Sequence, residues 1–284
     1  MTVLFEASYQ QEPYVGLGDP GDAVLTLYPA AGLDLPAAVL AAGGGVPALA
    51  AALAAGRSPV TAAAQEVAFR PPLLPHSPGD AMVSGFMATH NVKADSGAPD
   101  QPNWFFKGLG DVLKVSGEPL RVPADPVAVT EEAEVVLVYV GDAEGVPRYA
   151  GYTFGNDLTD IGRFRRHNGH LSYAKLCDAG IAPWLFLGTP PAHVTGHVTI
   201  ERDGRAAWQG AFVTGTKALH YGLRDITAEL FSYASLRHPG RVHYVYLGAD
   251  RSSFHNGFTT ADRDRVTMEF ATHGVTLTHP LRWG

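Results

Sequence analysis

Two glutamates at the start of an apolar run constrain this chain more than any other feature. Glu132 and Glu134 are separated by one alanine and lead into residues 134–140, which read Glu-Val-Val-Leu-Val-Tyr-Val. This β-branched composition predicts a strand, and residues two apart on a strand project from the same face. The two carboxylates are therefore expected side by side next to a hydrophobic segment. That arrangement is costly unless a positive charge neutralises them.

A third carboxylate follows one strand later. Residues 152–154 are predicted to form that strand, and Gly155-Asn156-Asp157 is predicted to close it as a turn. Three convergent oxygen donors suit a hard divalent cation and leave positions for water and substrate. The sequence thus predicts a Mg²⁺ site made by Glu132, Glu134 and Asp157, with Ca²⁺ or Mn²⁺ as alternatives. The other interpretation is that these side chains are solvated at strand ends.

Composition narrows the class of protein. With 284 residues, 46% of them hydrophobic, the chain can bury a large core and a smaller appendage. A net charge of −7 argues against nucleic-acid binding. Cys177 is the only cysteine, so no intrachain disulfide can form, and a reducing cytoplasm is expected. No secretory signal is recognisable at the N-terminus. Residues 35–56 are Ala-rich but interrupted by glycines and a proline, so no membrane span is expected.

The pattern along the chain predicts two domains. Residues 1–75 are expected to form a small N-terminal domain, with strands at 2–7 and 23–28 and a helix that begins around Pro47 and ends at Gly56. A rigid Arg-Pro-Pro link at 70–72 precedes the second domain, residues 76–284.

The second domain is expected to be mostly strands, which gives an α+β, β-rich fold class. Alternation and turn signals predict strands at 134–140, 149–154, 197–201, 206–213, 242–247 and 266–270. Helices are predicted at 160–166 and at 219–236.

Two further side chains are candidates for catalysis. Lys175 precedes an apolar Pro-Trp-Leu segment, and its ammonium could orient a carboxylate, or transfer a proton if burial lowers its pKa. His90 lies in a polar stretch and could serve as a general base. The alternatives are a surface lysine and one ordinary histidine among 12.

Basic side chains supply candidates for substrate binding. Lys107 follows three aromatic residues and could bind an anion, or its stem could pack on the rings. A basic segment after Asp157 could be a lid that recognises a carboxylate or phosphate, or a solvated helix face; it contains Arg163, Arg165, Arg166, His167 and His170. The chain has no nucleophile elbow of a serine hydrolase, no phosphate-binding loop and no Gly-x-Gly-x-x-Gly dinucleotide fingerprint after a predicted strand.

Several motifs in this order and spacing resemble the fumarylacetoacetate hydrolase family. They are Trp104-Phe105-Phe106-Lys107-Gly108, Glu132-Ala133-Glu134, Gly151-Tyr152-Thr153-Phe154-Gly155-Asn156-Asp157, Ala174-Lys175 and Pro239-Gly240-Arg241-Val242. The resemblance covers roughly residues 80–284 and is nearest to a branch similar to 2-keto-3-deoxy sugar-acid dehydratases.

The resemblance implies a mixed β-roll C-terminal domain, a small N-terminal domain and a homodimer. It implies a metal at the mouth of the roll, held by Glu132, Glu134 and Asp157. It also places the family lysine at Lys175 and the family histidine near His90. Lys107, Arg163 and Asn156 are expected to bind substrate.

The chain departs from the family pattern at three places. Members with a His-Glu pair carry Glu three residues after the histidine, where this chain has Lys93. Asp95 could substitute for that glutamate. Near the C-terminus, Arg241 replaces an aspartate, and Ala249 replaces a threonine that contacts substrate.

Together these features predict a cytoplasmic enzyme that acts on a small 2-oxo acid or 1,3-dicarbonyl compound through a metal-stabilised enolate. The incomplete His-Glu pair favours a lyase of the dehydratase type over a C–C hydrolase. The alternatives are a C–C hydrolase, decarboxylase or cyclase of a specialised biosynthetic pathway, and a non-catalytic binding protein on the same fold. The expected partner is a small carboxylate substrate, with no nucleic acid and no membrane.

Overall fold

The computed structural model describes residues 3–94 and 97–284. Strands are numbered β1–β18 and helices α1–α5 in chain order. Asp95, the candidate substitute for the missing glutamate, lies outside the described residues, as does Thr2 at the start of the first predicted strand.

The N-terminal part forms an antiparallel sheet in the order β13-β1-β2-β3-β4, with β5 also paired to β1. Its strands are β1 (Val3–Tyr9), β2 (Glu12–Gly18), β3 (Val24–Pro29), β4 (Val60–Ala63), β5 (Ala68–Arg70) and β13 (Trp184–Leu185). Because β13 comes from far along the chain, residues 1–75 do not complete this sheet alone. The domain boundary at residue 75 stays a prediction.

Two helices connect β3 to β4. They are α1 (Leu35–Ala42) and α2 (Val46–Ala54), and α2 is the predicted helix with Pro47 in its first turn. The sequence analysis did not separate α1 from the rest of the Ala-rich stretch. Gly43 ends α1 in the left-handed conformation, at φ +57°, where glycine carries no steric penalty.

The C-terminal part contains two further sheets. The first has seven strands in the order β7-β6-β16-β10-β11-β12-β8. Its strands are β6 (Ala81–Met87), β7 (Asn103–Leu109), β8 (Leu113–Lys114), β10 (Ala133–Gly141), β11 (Pro147–Asp157), β12 (Ala179–Ile181) and β16 (Val242–Tyr246).

The second C-terminal sheet has five strands in the order β15-β14-β17-β18-β9. Its strands are β9 (Leu120–Val122), β14 (Val194–Arg202), β15 (Arg205–Thr214), β17 (Arg265–Phe270) and β18 (Val275–Trp283). Both C-terminal sheets are mixed, since β6 runs parallel to β16, β8 to β12 and β9 to β18.

Short helices complete the C-terminal part. They are α3 (Ile161–Arg166), α4 (Leu171–Ala174) and α5 (Leu223–Leu230). Among the described residues, no helix combines the length and apolarity needed to cross a membrane.

The apolar strand β10 lies at the centre of the molecule and separates two cores. Val135 and Leu137 pack into one hydrophobic cluster, whereas Val136 and Val138 pack into the other. Side chains of a strand alternate between faces, so a strand buried on both faces is apolar throughout. The α+β, β-rich fold class is confirmed.

Two predicted elements differ from the structure. Residues 155–157 were predicted as a turn but belong to β11, where Asn156 pairs with Ala133 on one side and Asp157 pairs with Ala179 on the other. The helix predicted at 219–236 is shortened to α5, because Gly222 caps its start and the chain leaves the helix at Phe231.

Candidate active site

Three carboxylates converge at one end of the seven-stranded sheet. Glu132 immediately precedes β10, Glu134 is its second residue, and Asp157 ends the neighbouring β11. The amide of Asp157 donates to the carbonyl of Glu132 over 3.0 Å, so the two residues face each other across the strands. One oxygen from each of the three side chains lies within 4.8 Å of the others. All three residues are buried.

The strand partner of Glu134 is Gly155, and this position requires a glycine. A Cβ atom on Gly155 would lie 2.6 Å from the carbonyl oxygen of Gly180 and from the ring of Tyr246. The missing side chain therefore lets Tyr246 pack directly beneath the carboxylates, which contributes to their burial.

Two buried lysines compensate part of this negative charge. The Lys175 ammonium donates to Glu132 Oε2 over 2.6 Å and also contacts Asp157 Oδ2. The Lys107 ammonium lies 2.7 Å from Asp157 Oδ1 and donates to the carbonyl of Leu158. Both side chains are inside the protein and not in a solvent-filled cleft. Buried ions require such pairing.

The charge state of Lys175 differs from the expectation. Burial by itself would lower the pKa of Lys175, but the three neighbouring carboxylates outweigh it and raise the pKa above its ordinary value. In this arrangement Lys175 is positively charged at neutral pH. Its part in proton transfer stays a prediction.

The carboxylates themselves titrate differently. Burial alone would raise the pKa of Glu132, but Lys175 and Lys93 lower it to about 2. Burial raises the pKa of Glu134 well above its usual range, and the charges of Asp157 and Glu132 raise it further. The carboxylate of Glu134 accepts one backbone hydrogen bond, from Gly248 over 2.7 Å. Within the described part of the chain it has no ion-pair partner.

This arrangement fits a divalent cation. The donors are three carboxylates, which are hard oxygen ligands of the kind Mg²⁺ and Ca²⁺ prefer. Glu134 forms no ion pair with either lysine, so it lacks the close compensating charge that Glu132 and Asp157 receive. A cation between the three side chains would supply it.

A cleft of about 380 Å³ adjoins one of the three carboxylates. Glu132 lies on its wall, and the other lining residues are Met87, Ala88, Val92, Lys93, Ile161, Phe164, Arg165, Arg251 and His255. Three of these side chains are cationic and one is an imidazole. The cleft therefore presents an electropositive surface next to a cluster of carboxylates.

His255 faces this cleft with a defined protonation. The backbone amide of Ser252 donates to Nδ1 of His255 over 3.2 Å. Because Nδ1 accepts, the neutral ring carries its proton on Nε2 and can donate from there. Burial lowers the pKa of His255, and the nearby cations, Lys93 first among them, lower it further.

His90, the predicted base, is held by two threonine side chains next to the segment that lines the cleft. Its side chain is buried, Nδ1 lies 3.1 Å from Thr89 Oγ1, and Nε2 lies 2.9 Å from Thr214 Oγ1. The Thr89 hydroxyl donates to the carbonyl of Leu247, so it accepts from the histidine. Both ring nitrogens of His90 are therefore engaged, and the ring does not line the cleft. Burial lowers the pKa of His90 to about 4.

Comparison with solved structures identifies the fold of the chain. No family model and no curated protein matches the chain. Solved structures match over its full length. A 2-keto-3-deoxy-D-arabinonate dehydratase complexed with magnesium and 2,5-dioxopentanoate superposes with a TM-score of 0.72 at 17% identity, covering 99% of both chains.

Two isomerases also superpose. A 5-carboxymethyl-2-hydroxymuconate delta-isomerase from Mycobacterium smegmatis has a TM-score of 0.65 at 19% identity, covering 99% of this chain and 100% of the other. A 2-hydroxyhepta-2,4-diene-1,7-dioate isomerase from Mycobacterium marinum has a TM-score of 0.67 at 16% identity, covering 100% and 99%. The chain has the fumarylacetoacetate hydrolase fold. The resemblance seen in the motifs is thereby confirmed at the level of the fold.

Within this fold, the predicted substrate-binding residues have other partners. Lys107 pairs with Asp157, as described above. Arg163 lies 3.4 Å from Asp160, the residue that caps α3, and does not line the cleft. The side-chain oxygen of Asn156 accepts from the amide of Glu132 over 3.1 Å, which fixes the start of β10.

The cleft residues Lys93, Arg251 and His255 were not assigned to the site from sequence, whereas Arg165 was a candidate for recognising a carboxylate or phosphate. Arg165 belonged to the basic segment, and Lys93 was noted as a departure from the family pattern. Their common signal is a cationic or imidazole side chain on a loop or short helix. That signal is too frequent to select residues without the tertiary structure.

Proposed function

We propose that this protein is a divalent-metal-dependent enzyme that acts on a small 2-oxo acid through an enolate, with dehydration as its reaction. The observation that carries the proposal is the convergence of three buried carboxylates beside a cleft with cationic walls. Because Glu132 lines the cleft, a small molecule in the cleft would lie next to this cluster, which favours an enzyme over a non-catalytic binding protein.

Glu132, Glu134 and Asp157 would hold the metal, and Mg²⁺ is the proposed ion. When bound, it would supply a Lewis acid for the charge that develops on the enolate. The magnesium-bound dehydratase with the same fold supports this choice. Lys175 would keep Glu132 and Asp157 ionised and in place, since its ammonium contacts both side chains.

The cationic walls favour a carboxylate substrate over a neutral 1,3-dicarbonyl compound. Arg165 extends from α3 and Arg251 from the loop after β16, and both side chains line the cleft with Lys93. Guanidinium groups bind carboxylates through charge-assisted hydrogen bonds. Arg165 and Arg251 thus replace Arg163 in the proposed role of binding substrate.

His255 is the proposed hydrogen-bond donor to the reacting molecule. With the proton of its neutral ring on Nε2, it can donate to a leaving hydroxyl or to the enolate oxygen as charge develops there. The proton released from the carbon next to the oxo group would pass to solvent water in the cleft. Hydrolysis would instead require a side chain that activates water. The position three residues after His90 carries an ammonium, Lys93, which cannot accept a proton. This supports dehydration over C–C hydrolysis.

Replacement of Glu134 by glutamine is expected to weaken Mg²⁺ binding by at least about a hundredfold, because it removes one of three charged ligands. Isothermal titration of metal-free protein measures this. Glu131→Gln is the matched control: Glu131 lies three residues before Glu134 and is equally buried, but its carboxylate accepts hydrogen bonds from the amide and hydroxyl of Ser253. Equal Mg²⁺ affinity of Glu134→Gln and the wild type would contradict the proposed metal site.

The reaction is tested by incubating the Mg²⁺-loaded protein with a panel of 2-oxo acids, including 2-keto-3-deoxy sugar acids, and with neutral 1,3-diketones. Mass spectrometry separates loss of water from loss of carbon dioxide and gain of water. We expect loss of water from an acid carrying a hydroxyl group two carbons from the oxo group. Turnover of the neutral diketones alone would contradict the assignment of the cationic walls.

The replacement Arg165→Met is expected to raise KM for the acid about tenfold and to change kcat little, because one charge-assisted contact in the ground state is lost. Arg166→Met is the control, since Arg166 is exposed on the same helix but does not line the cleft. Equal effects of the two replacements would mean that overall charge, and not contact, determines binding.

The homodimer and the cytoplasmic location stay predictions. Light scattering after size-exclusion chromatography would test the first of these.

A further inference from the structure

Lys93 lines the cleft and pairs with Glu132, one of the three carboxylates. Its ammonium is 3.6 Å from Glu132 Oε1, and its side chain is 15% exposed. Glu132 is therefore shared by two lysines, since its other oxygen accepts from Lys175 over 2.6 Å. Lys175 is the fixed partner, being fully buried with contacts to Asp157 and Thr159 as well. Lys93 is the partner that solvent can reach.

The backbone holds Lys93 in this place. The amide of Lys93 donates to the carbonyl of His90 over 2.8 Å, which closes a tight turn. His90 is anchored on both ring nitrogens and bridges to Leu219. The buried imidazole that was predicted to be catalytic thus positions the turn from which Lys93 extends.

The ammonium of Lys93 and a divalent cation would compete for the same carboxylate, that of Glu132. The Lys93 ammonium and the divalent cation would repel each other, because both are positively charged. At a separation of a few ångströms in a partly buried site this repulsion is strong. Lys93 is attached to the protein, so its local concentration does not fall on dilution.

We propose that Lys93 is a tethered cation that competes with the metal for Glu132 and becomes an anion-binding group of the cleft when the metal displaces it. This inference rests on the proposed metal site. It assigns Lys93 a dual role: it weakens metal binding in the empty protein, and it lines the cleft with Arg165 and Arg251 when substrate enters. The site would then take up metal and acid together more readily than metal alone.

The test compares Mg²⁺ binding by calorimetry, at one pH and ionic strength, in the wild type, Lys93→Met, Lys93→Gln and Lys93→Arg. Methionine keeps most of the stem without the charge, and glutamine is a second neutral variant in case methionine impairs folding. Both neutral variants are expected to bind Mg²⁺ about tenfold to a hundredfold more tightly, the range by which one neighbouring charge shifts proton binding to a carboxylate. Lys93→Arg keeps the charge and should remain near the wild type.

Lys217→Met is the matched control, because Lys217 is exposed and does not line the cleft. Tighter binding by the neutral Lys93 variants alone supports the proposal. If the neutral Lys93 variants bind Mg²⁺ with unchanged affinity, the competition by Lys93 is contradicted and the metal site is retained. If neither the wild type nor any variant binds Mg²⁺, the proposed metal site is contradicted, and the inference about Lys93 with it.

Labelling provides a second measurement that does not involve turnover. Lys93 should react several-fold faster with an acylating reagent once Mg²⁺ is added, because its ammonium leaves Glu132, whereas Lys217 should react at the same rate throughout. Peptide mass spectrometry reports each site. Equal labelling of Lys93 with and without Mg²⁺ would contradict its release.

Discussion

Replacement of Lys175 by methionine lowers the free energy of unfolding by about 3–5 kcal/mol in the absence of metal, the usual cost of removing one partner from a buried ion pair. The reason is that Glu132 and Asp157 both contact this ammonium and are both buried. Urea denaturation followed by circular dichroism measures the change. Added Mg²⁺ should restore part of the lost stability, because a cation can replace the missing charge.

Two further variants test this explanation. Lys175→Met combined with Glu132→Gln should be less unstable than the sum of the two single replacements, since one stranded charge is removed with its partner. Lys217→Met should leave stability within about 0.5 kcal/mol of the wild type, as is usual for surface positions. If Lys175→Met were as stable as the wild type, Lys175 would not be the charge that balances the carboxylates.

Replacement of His255 by alanine reduces kcat by about a hundredfold to a thousandfold on the acid identified by the panel. That is the usual effect of removing one preorganised donor to a developing charge. His255→Gln should retain more activity, because an amide can also donate a hydrogen bond. Steady-state kinetics at saturating Mg²⁺ measures both.

The pH dependence follows from the lowered pKa of His255. A pKa below the ordinary value of about 6.5 keeps the ring neutral, with its proton on Nε2, from about pH 6.5 upward. The reduction in kcat caused by His255→Ala should therefore be constant across neutral and mildly alkaline pH.

His167→Ala is the control for this prediction, as His167 is exposed and does not line the cleft. Replacement of His90 is expected to disturb the turn that carries Lys93, and so to change metal affinity more than kcat. If His90→Ala reduced kcat by two orders of magnitude while His255→Ala did not, the catalytic role would return to His90.

Much of the fold could be predicted from the sequence. The apolar run after Glu134 predicted β10, and strands near 149–154, 197–201, 206–213, 242–247 and 266–270 were all found, most of them longer by a few residues. Strands such as β6 were missed because they are buried throughout and show no alternation. The turn predicted at 155–157 failed because Gly, Asn and Asp occupy strand positions here, where pairing on both sides outweighs their turn preference.

The sequence by itself indicated that three carboxylates come together, because strand periodicity places Glu132 and Glu134 on one face and Asp157 follows at the end of the next strand. Only the tertiary structure decided which cations and which histidine meet them. Lys93, Arg165 and the Arg251–His255 segment are far apart in the chain, and their approach depends on how the sheets and loops pack. The charge states were also decided there, since burial and neighbouring charges determine a pKa and neither can be read from residue order.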